Sequence, residues 1–325
     1  MSETEQPLAF IAESSRIERP IILVGCVRSG TTLLRLMLDS HPEIAFHFEF
    51  EFAVERISPD GIFPPLDLYR DHLNSNRIFQ LCNYDIDKNL SYKDLINSFL
   101  LQKKQNKRFV GATIHKYLDR IPYLFEDARY IHLVRDPRDV ARSIVAMGWA
   151  GTSFTATKMW LETERHWDLL RKHIPDHDVI DVRYEDLLEA PKAHLAKICH
   201  WAGVEYSPRM LDYPTNSSYG KPDSRLAHQW KSKARSVEIR QSEAAAGDAL
   251  IQRSYEPSGE DALSVGAWRR CMYAATDWQW RLRFRIRRYG IGLYAADLLA
   301  RKLRIHSIRQ MTRIRIDDLD NAAMR

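Results

Sequence analysis

The chain has 325 residues, 45% of them hydrophobic, with 48 Lys and Arg against 43 Asp and Glu for a net charge of +5. That is enough apolar material for a sizeable core, in one large domain or two modest ones, and too mild a charge to call for a nucleic-acid partner. Four cysteines, Cys26, Cys82, Cys199 and Cys271, lie far apart without metal-ligand spacing, which reads as reduced thiols and leaves no metal to expect.

In chain order, residues 1–19 form a polar, partly acidic tail that lacks the basic and apolar regions of a secretory signal. Five short apolar runs follow, at 20–25, 44–48, 109–115, 130–134 and 179–182, each suited to a strand covered on both faces. Helical patterns separate them at 31–39, 92–104, 119–125, 139–147, 155–173 and 192–201. The alternation predicts a three-layer α/β fold with a mainly parallel sheet. A polar loop at 214–224, PTNSSYGKPDS, closes a core placed at 20–230, and residues 231–325 are expected to form a basic helical extension. The apolar stretch 290–300 is too short for a membrane span, contains Asp297 and is flanked by arginines, so a cytoplasmic protein is expected.

Chemistry concentrates first in RPIILVGCVRSGTTLL, residues 19–34. A buried strand, then Gly25-x4-Gly30-Thr31-Thr32 opening a helix, turns successive backbone N–H groups and the helix dipole toward one anion. A nucleotide triphosphatase loop carries Lys directly after the second Gly; Thr31 stands there instead. The positive charge comes earlier, at Arg28, so the loop, Arg28 to Thr32 with Ser29 and Gly30, is expected to hold a short 5′-phosphate group. The second concentration is RYIHLVRDPRDVARSIVAMGW, residues 129–149, where Arg135 ends a strand and Ser143 lies in the following helix, so that both are able to reach one compact anion. Asp136 is either a helix cap or, in a kinase, a magnesium carboxylate.

Together, VRSGTTLL and LVRDPRDVARS resemble the 5′-phosphosulfate-binding loop and the 3′-phosphate-binding segment of sulfotransferases that use 3′-phosphoadenosine-5′-phosphosulfate (PAPS), with the Arg-to-Ser spacing of eight kept. The longer stretch RSGTTLLRLMLDSHPEI, residues 28–44, is similar to the tyrosylprotein sulfotransferases and their bacterial relatives, and the likeness covers roughly residues 20–200. The resemblance implies a P-loop-like α/β core, PAPS as donor, no metal, and a glutamate base after the second strand, which counting from Arg28 places at Glu49. Phe48, Phe50 and Phe52 are expected to bury that carboxylate, and Glu51, His47 and His115 are rival bases. By order Lys116 matches the lysine near the transferring sulfuryl, whereas Leu118 stands where the small-molecule enzymes carry a catalytic histidine. The resemblance further sets Tyr184 near the nucleotide and Ser218 and Lys221 near the 3′-phosphate.

The resemblance implies in-line transfer of a sulfuryl group to an acceptor hydroxyl or amine, and the acceptor stays open among peptide, carbohydrate, lipid and small molecule. The basic C-terminal region, with RLRFRIRRYG at 281–290, fits an anionic membrane, an acidic polymer or an acidic peptide, or else simply solvated arginines. Two other functions stay open with it: a nucleotide-dependent kinase, and a non-catalytic nucleotide-binding module at a membrane surface.

Overall fold

A computed structural model describes residues 16–303 and 305–324. Its centre is a five-stranded sheet in the order β2-β3-β1-β4-β5, made of β1 (Ile21–Val24), β2 (Ile44–Glu49), β3 (Phe109–Ile114), β4 (Arg129–Val134) and β5 (Val179–Arg183). All neighbouring pairs are parallel. Each predicted strand forms within two residues of its expected bounds, because each is a short apolar run able to be buried on both faces. Along β1, Ile22 and Val24 face one apolar cluster, while Ile21 and Leu23 face the other. Period-two alternation thus produces the three layers.

The helices Thr31–Asp39, Tyr92–Lys104, Pro137–Ala146, Ser153–Arg171 and Pro191–Ala202 lie where 3.6-residue periodicity puts them. The expected helix at 119–125 is instead a 3₁₀ turn, Leu118–Arg120, followed by a single helical turn, Ile121–Leu124. Leu66–Ser75 and Tyr184–Glu189 are helical without having been anticipated.

The sheet order fixes where a ligand can sit. The chain leaves β1 toward the β2 edge and leaves β4 toward the β5 edge, so the loops after β1 and β4 part company and open a crevice at the carboxyl ends of adjacent strands. Behind that crevice His132 of β4 bonds Asp181 of β5 at 2.8 Å and Glu164 of the Ser153–Arg171 helix at 3.2 Å. Arg253 reaches the same Glu164 at 2.5 Å. Burial alone would lower the His132 pKa, but the Glu164 charge and the Asp181 hydrogen bond outweigh it and raise the imidazole. Burial opposes ionisation of Glu164 as well, yet His132 and Arg253 hold it below the usual carboxylate range. A raised histidine stabilises fully below its unfolded value and loses this as pH rises through the folded one; a depressed carboxylate stabilises above its unfolded value and loses this as pH falls. Both contributions therefore coincide between about pH 4.5 and 6.5. Thermal unfolding across pH is expected to flatten in this window in the parent, and His132→Gln removes the loss on the alkaline side; an unchanged profile in that variant contradicts the assignment.

Beyond residue 230 the described secondary structure is helical. Ser236–Ala246 packs on Pro137–Ala146 and Ser153–Arg171, and Ala246, Leu250 and Tyr255 share a core cluster with Ile144 and Trp160. The longer helices Ala267–Tyr289, Ile291–Lys302 and His306–Met324 follow. Ala267–Tyr289 docks on the turn after Pro137–Ala146, where a Cβ on Gly148 (φ 74°) would fall 2.2 Å from the Phe284 ring. Asp277 accepts from the Gly151 N–H at 2.7 Å and the Thr155 hydroxyl at 2.8 Å. Among the described residues no helix is long and apolar enough to cross a membrane.

Candidate active site

The loop after β1 is shaped by two left-handed residues, Arg28 (φ 69°) and Gly30 (φ 95°). Gly30 is the N-cap of Thr31–Asp39 and contributes no side-chain cap, so the N–H groups of the first turn are left for an anion. The Tyr184 ring presses against this glycine; a Cβ there would lie 2.3 Å from two ring carbons. Glycine is thus required both for conformation and for contact. Gly30→Ala is expected to abolish nucleotide-induced thermal stabilisation while costing about 1–3 kcal/mol of stability; full retention of the nucleotide shift would show that the Tyr184 contact is dispensable.

Arg28, Gly30, Thr31 and Thr32 line a cavity of about 340 Å³ together with Arg135, Tyr184 and Lys221. Its volume lies within the range of small-ligand sites. The two expected phosphate grips are joined across it. Arg28 Nε donates to Ser143 Oγ at 2.9 Å, and Arg135 donates to the Arg28 carbonyl at 3.2 Å. The Arg135 guanidinium lies 4.4 Å from the centre of the Tyr184 ring, and the Trp160 indole fixes the Arg135 carbonyl at 3.1 Å. Burial raises the Tyr184 hydroxyl pKa, so this ring stays neutral.

Two polar atoms at the site fit a phosphate-bearing ligand. Ser29 Oγ, in a fully buried residue directly before the Gly30 N-cap, and Arg135 Nε are both buried without a protein partner. Such atoms are rare in folded proteins unless a ligand, ion or water completes them. Ser218, by contrast, is exposed and outside the cavity lining, three residues before Lys221, which lies within it. Tyr219, Gly220, Pro222, Asp223 and Leu226 complete that wall. The sequence pattern marks this segment as a linking loop, and only the resemblance, through Ser218 and Lys221, points it toward the nucleotide.

Glu49 is the last residue of β2, paired with Thr113 of β3 after a register shift that begins at His47. Lys116, exposed, follows β3 after His115 and is close enough for its charge to act on the Cys26 thiol in the loop after β1. Glu49 thus ends one strand while Lys116 and Arg28 follow the ends of its two neighbours in the order β2-β3-β1. The expected burial of Glu49 does not occur. The chain turns at Phe50 into the 3₁₀ segment Glu51–Ala53, sending Phe50 and Phe52 into the core while Glu49 stays exposed.

The rival bases have structural partners. Glu51 does not continue the strand; its Oε1 accepts from the His115 N–H at 2.8 Å, and burial, with the Glu49 charge added, raises its carboxyl pKa against the pull of His115. His115 donates from Nδ1 to the Gly25 carbonyl at 2.9 Å. Burial lowers His47 to about 3, and its Nε2 lies 3.4 Å from Cys82 Sγ. Asp136 is occupied too: it caps the Pro137–Ala146 helix through the Arg138 N–H at 2.9 Å and pairs with the Arg138 guanidinium at 2.7 Å. Arg138 in turn lies 3.6 Å from the Trp230 ring and holds Glu243 at 2.7 Å. Asp136 is thus a capping, ion-paired residue rather than a free carboxylate.

Residues 20–208, more than half of the chain, match the model of the Sulfotransferase family. The chain belongs to the sulfotransferase family. Its chemistry is sulfuryl transfer, and the kinase reading is set aside. This sulfotransferase is 24% identical over 212 residues to a putative protein-tyrosine sulfotransferase of Caenorhabditis briggsae, covering 61% of this chain and 70% of that one. It is 24% identical over 213 residues to protein-tyrosine sulfotransferase A of Caenorhabditis elegans, covering 60% of this chain and 52%, about half, of that relative's length. Among solved structures, the sulfotransferase domain from the curacin biosynthetic pathway superposes with a TM-score of 0.53 at 20% identity, over 74% of this chain and 99% of that domain. The corresponding domain of the Synechococcus PCC 7002 olefin synthase gives 0.50 at 22% identity, over 76% and 99%. These two show the fold of the sulfotransferase.

Proposed function

We propose that this sulfotransferase takes its sulfuryl group from PAPS and delivers it to an acceptor hydroxyl, with the phenol of a peptidyl tyrosine as the first acceptor to test. The observation that carries the donor reading is the joined pair of grips: Arg28, whose Nε bonds Ser143, and Arg135 line one cavity. Two guanidiniums at one cavity, Arg28 tied to the Ser143 hydroxyl and Arg135 to the Arg28 carbonyl, fit a ligand with phosphates at both ends better than a single terminal phosphate. The names of the two Caenorhabditis relatives support tyrosine as acceptor.

The bound donor supplies a sulfuryl group on a bisphosphate leaving group. The residues of the chain do the rest. Ser29, Thr31, Thr32 and the first-turn N–H groups hold the 5′ end, Arg135 and Ser143 hold the 3′-phosphate, and Tyr184 flanks the nucleoside. Glu49 accepts the proton of the acceptor hydroxyl as attack proceeds in line. Lys116 and Arg28 place fixed positive charge where negative charge gathers on the departing oxygen. A sulfuryl group carries less charge than a triphosphate, so fixed cations and backbone donors suffice in this role and the missing loop lysine is not needed.

Radiolabelled sulfate transfer from PAPS to a tyrosine peptide, a carbohydrate, an aliphatic alcohol and a small phenol tests the reading. Label in any of them, with release of adenosine 3′,5′-bisphosphate, supports sulfuryl transfer, and label in the peptide supports tyrosine. Transfer to another class alone overturns the tyrosine assignment; failure to bind the bisphosphate overturns the donor assignment.

A further inference from the structure

The three C-terminal helices differ in charge from the rest of the molecule. Residues 267–324 contain 13 Lys and Arg against five Asp and no Glu, a net +8, whereas the remaining residues carry 35 against 38, a net −3. Three of the five aspartates are engaged within the fold. Asp277 is held by Gly151, Thr155 and Arg281, Asp297 by Arg301 and Thr312, and Asp320 by Arg288 and Tyr289. Arg269, Arg270, Arg283, Arg285 and Arg287 are exposed and make no salt bridge among the described residues.

Large apolar side chains stand in water on the same helices. Trp268 is 79% exposed and Trp278 62%, with Ile291, Leu299, Leu303 and Met311 also open to solvent. Isolated exposed apolar residues are ordinary, but so many on one charged appendage are not. The appendage is also fixed in place, since Phe284 seats against Gly148 and Asp277 holds Gly151. Its exposed groups are therefore presented from a docked element.

We propose that this C-terminal helical appendage binds an anionic lipid surface, with arginines meeting headgroups and tryptophans and aliphatic side chains entering the interface. The composition fits that solvent on three counts. Arginine is attracted to the negative surface potential, tryptophan prefers the headgroup boundary, and helices satisfy their own backbone while their side chains enter lipid. A second copy of the chain fits less well: a two-fold interface sets the same patch opposite itself and brings two +8 surfaces together. A purely acidic peptide would satisfy the arginines but leave the tryptophans in water.

Flotation of the full-length protein with vesicles of phosphatidylcholine alone, or with 30% phosphatidylglycerol, tests this. The expected result is binding to the anionic vesicles only, weakened by added salt, with a blue shift of tryptophan emission. Replacing Arg283, Arg285, Arg287 and Arg269 together with Gln is expected to reduce partitioning on the order of a hundredfold or more. Trp268→Ser with Trp278→Ser reduces both binding and the blue shift. Both variants keep the parent's thermal shift with adenosine 3′,5′-bisphosphate, which shows that the core remains folded. Equal binding to both vesicle types, or to neither, overturns the proposal. So does concentration-dependent dimerisation, or binding of polyglutamate, without any vesicle binding.

Discussion

Glu49→Gln is expected to lower kcat by roughly 10²–10⁴-fold while leaving the affinity for adenosine 3′,5′-bisphosphate unchanged. Glutamine keeps the volume and a hydrogen-bonding oxygen at the end of β2 but has no site for the acceptor's proton. The split follows from position: Glu49 closes β2 outside the cavity lining, whereas the groups that hold the nucleotide follow β1, β4 and β5. Glu51→Gln separates the two carboxylates. Glu51 accepts from the His115 backbone through Oε1, a role the glutamine amide oxygen keeps, so Glu51→Gln is expected to leave both the melting temperature and kcat close to the parent's. If Glu49→Gln retains full activity and Glu51→Gln does not, the base has been assigned to the wrong side chain. Steady-state kinetics with saturating donor, together with thermal melts of both variants, decide between them.

Arg28→Met is expected to reduce kcat/KM by about 10²–10³-fold and bisphosphate affinity by about 10–100-fold. Unlike Glu49, Arg28 acts on both quantities, because its guanidinium lines the cavity and its Nε bonds Ser143. Lysine is a poor replacement: an ammonium places a point charge but has no planar fork to serve two partners at once. Arg28→Lys should therefore recover less than a tenth of the loss on a kcat/KM scale. The backbone contribution can be separated, since Arg28 adopts φ 69°, where side chains other than glycine are disfavoured. Arg28→Gly relieves that strain and removes the guanidinium together, so it should melt no lower than Arg28→Met while sharing its kinetic defect. Kinetics equal to the parent in Arg28→Met would remove this residue from the transfer step.

Much of this architecture is legible from local pattern. The strands are apolar runs whose periodicity survives folding, and the helix Thr31–Asp39 has the bounds its sequence indicates. Arg28, Arg135 and Tyr184 could be brought together on paper because each stands at or just after the end of a strand in one parallel sheet, and such ends gather at one edge. What escaped depends on one local turn and on contacts between distant segments. That Glu49 is exposed turns on a 3₁₀ reversal at Phe50, which the repeated Phe-Glu pattern of HFEFEF disguises as a continuing strand. That Asp136 is ion-paired depends on Arg138, whose own place depends on Glu243 and Trp230 about a hundred residues on. Apart from Lys221, which the resemblance singles out, the wall formed by Tyr219 to Leu226 has no periodicity to read, and its approach to Arg135 makes it part of the site.

The central claim is that the cavity between the β1 and β4 loops recognises both ends of a doubly phosphorylated adenosine. Isothermal calorimetry with adenosine 3′,5′-bisphosphate and with adenosine 5′-monophosphate, in one buffer at one ionic strength, measures this directly. Charged hydrogen bonds from Arg135, with the Ser143 hydroxyl beside it, to the additional phosphate predict tighter binding of the bisphosphate by about a hundredfold or more, lost largely in Arg135→Ala. Equal affinity for the two nucleotides would contradict the account.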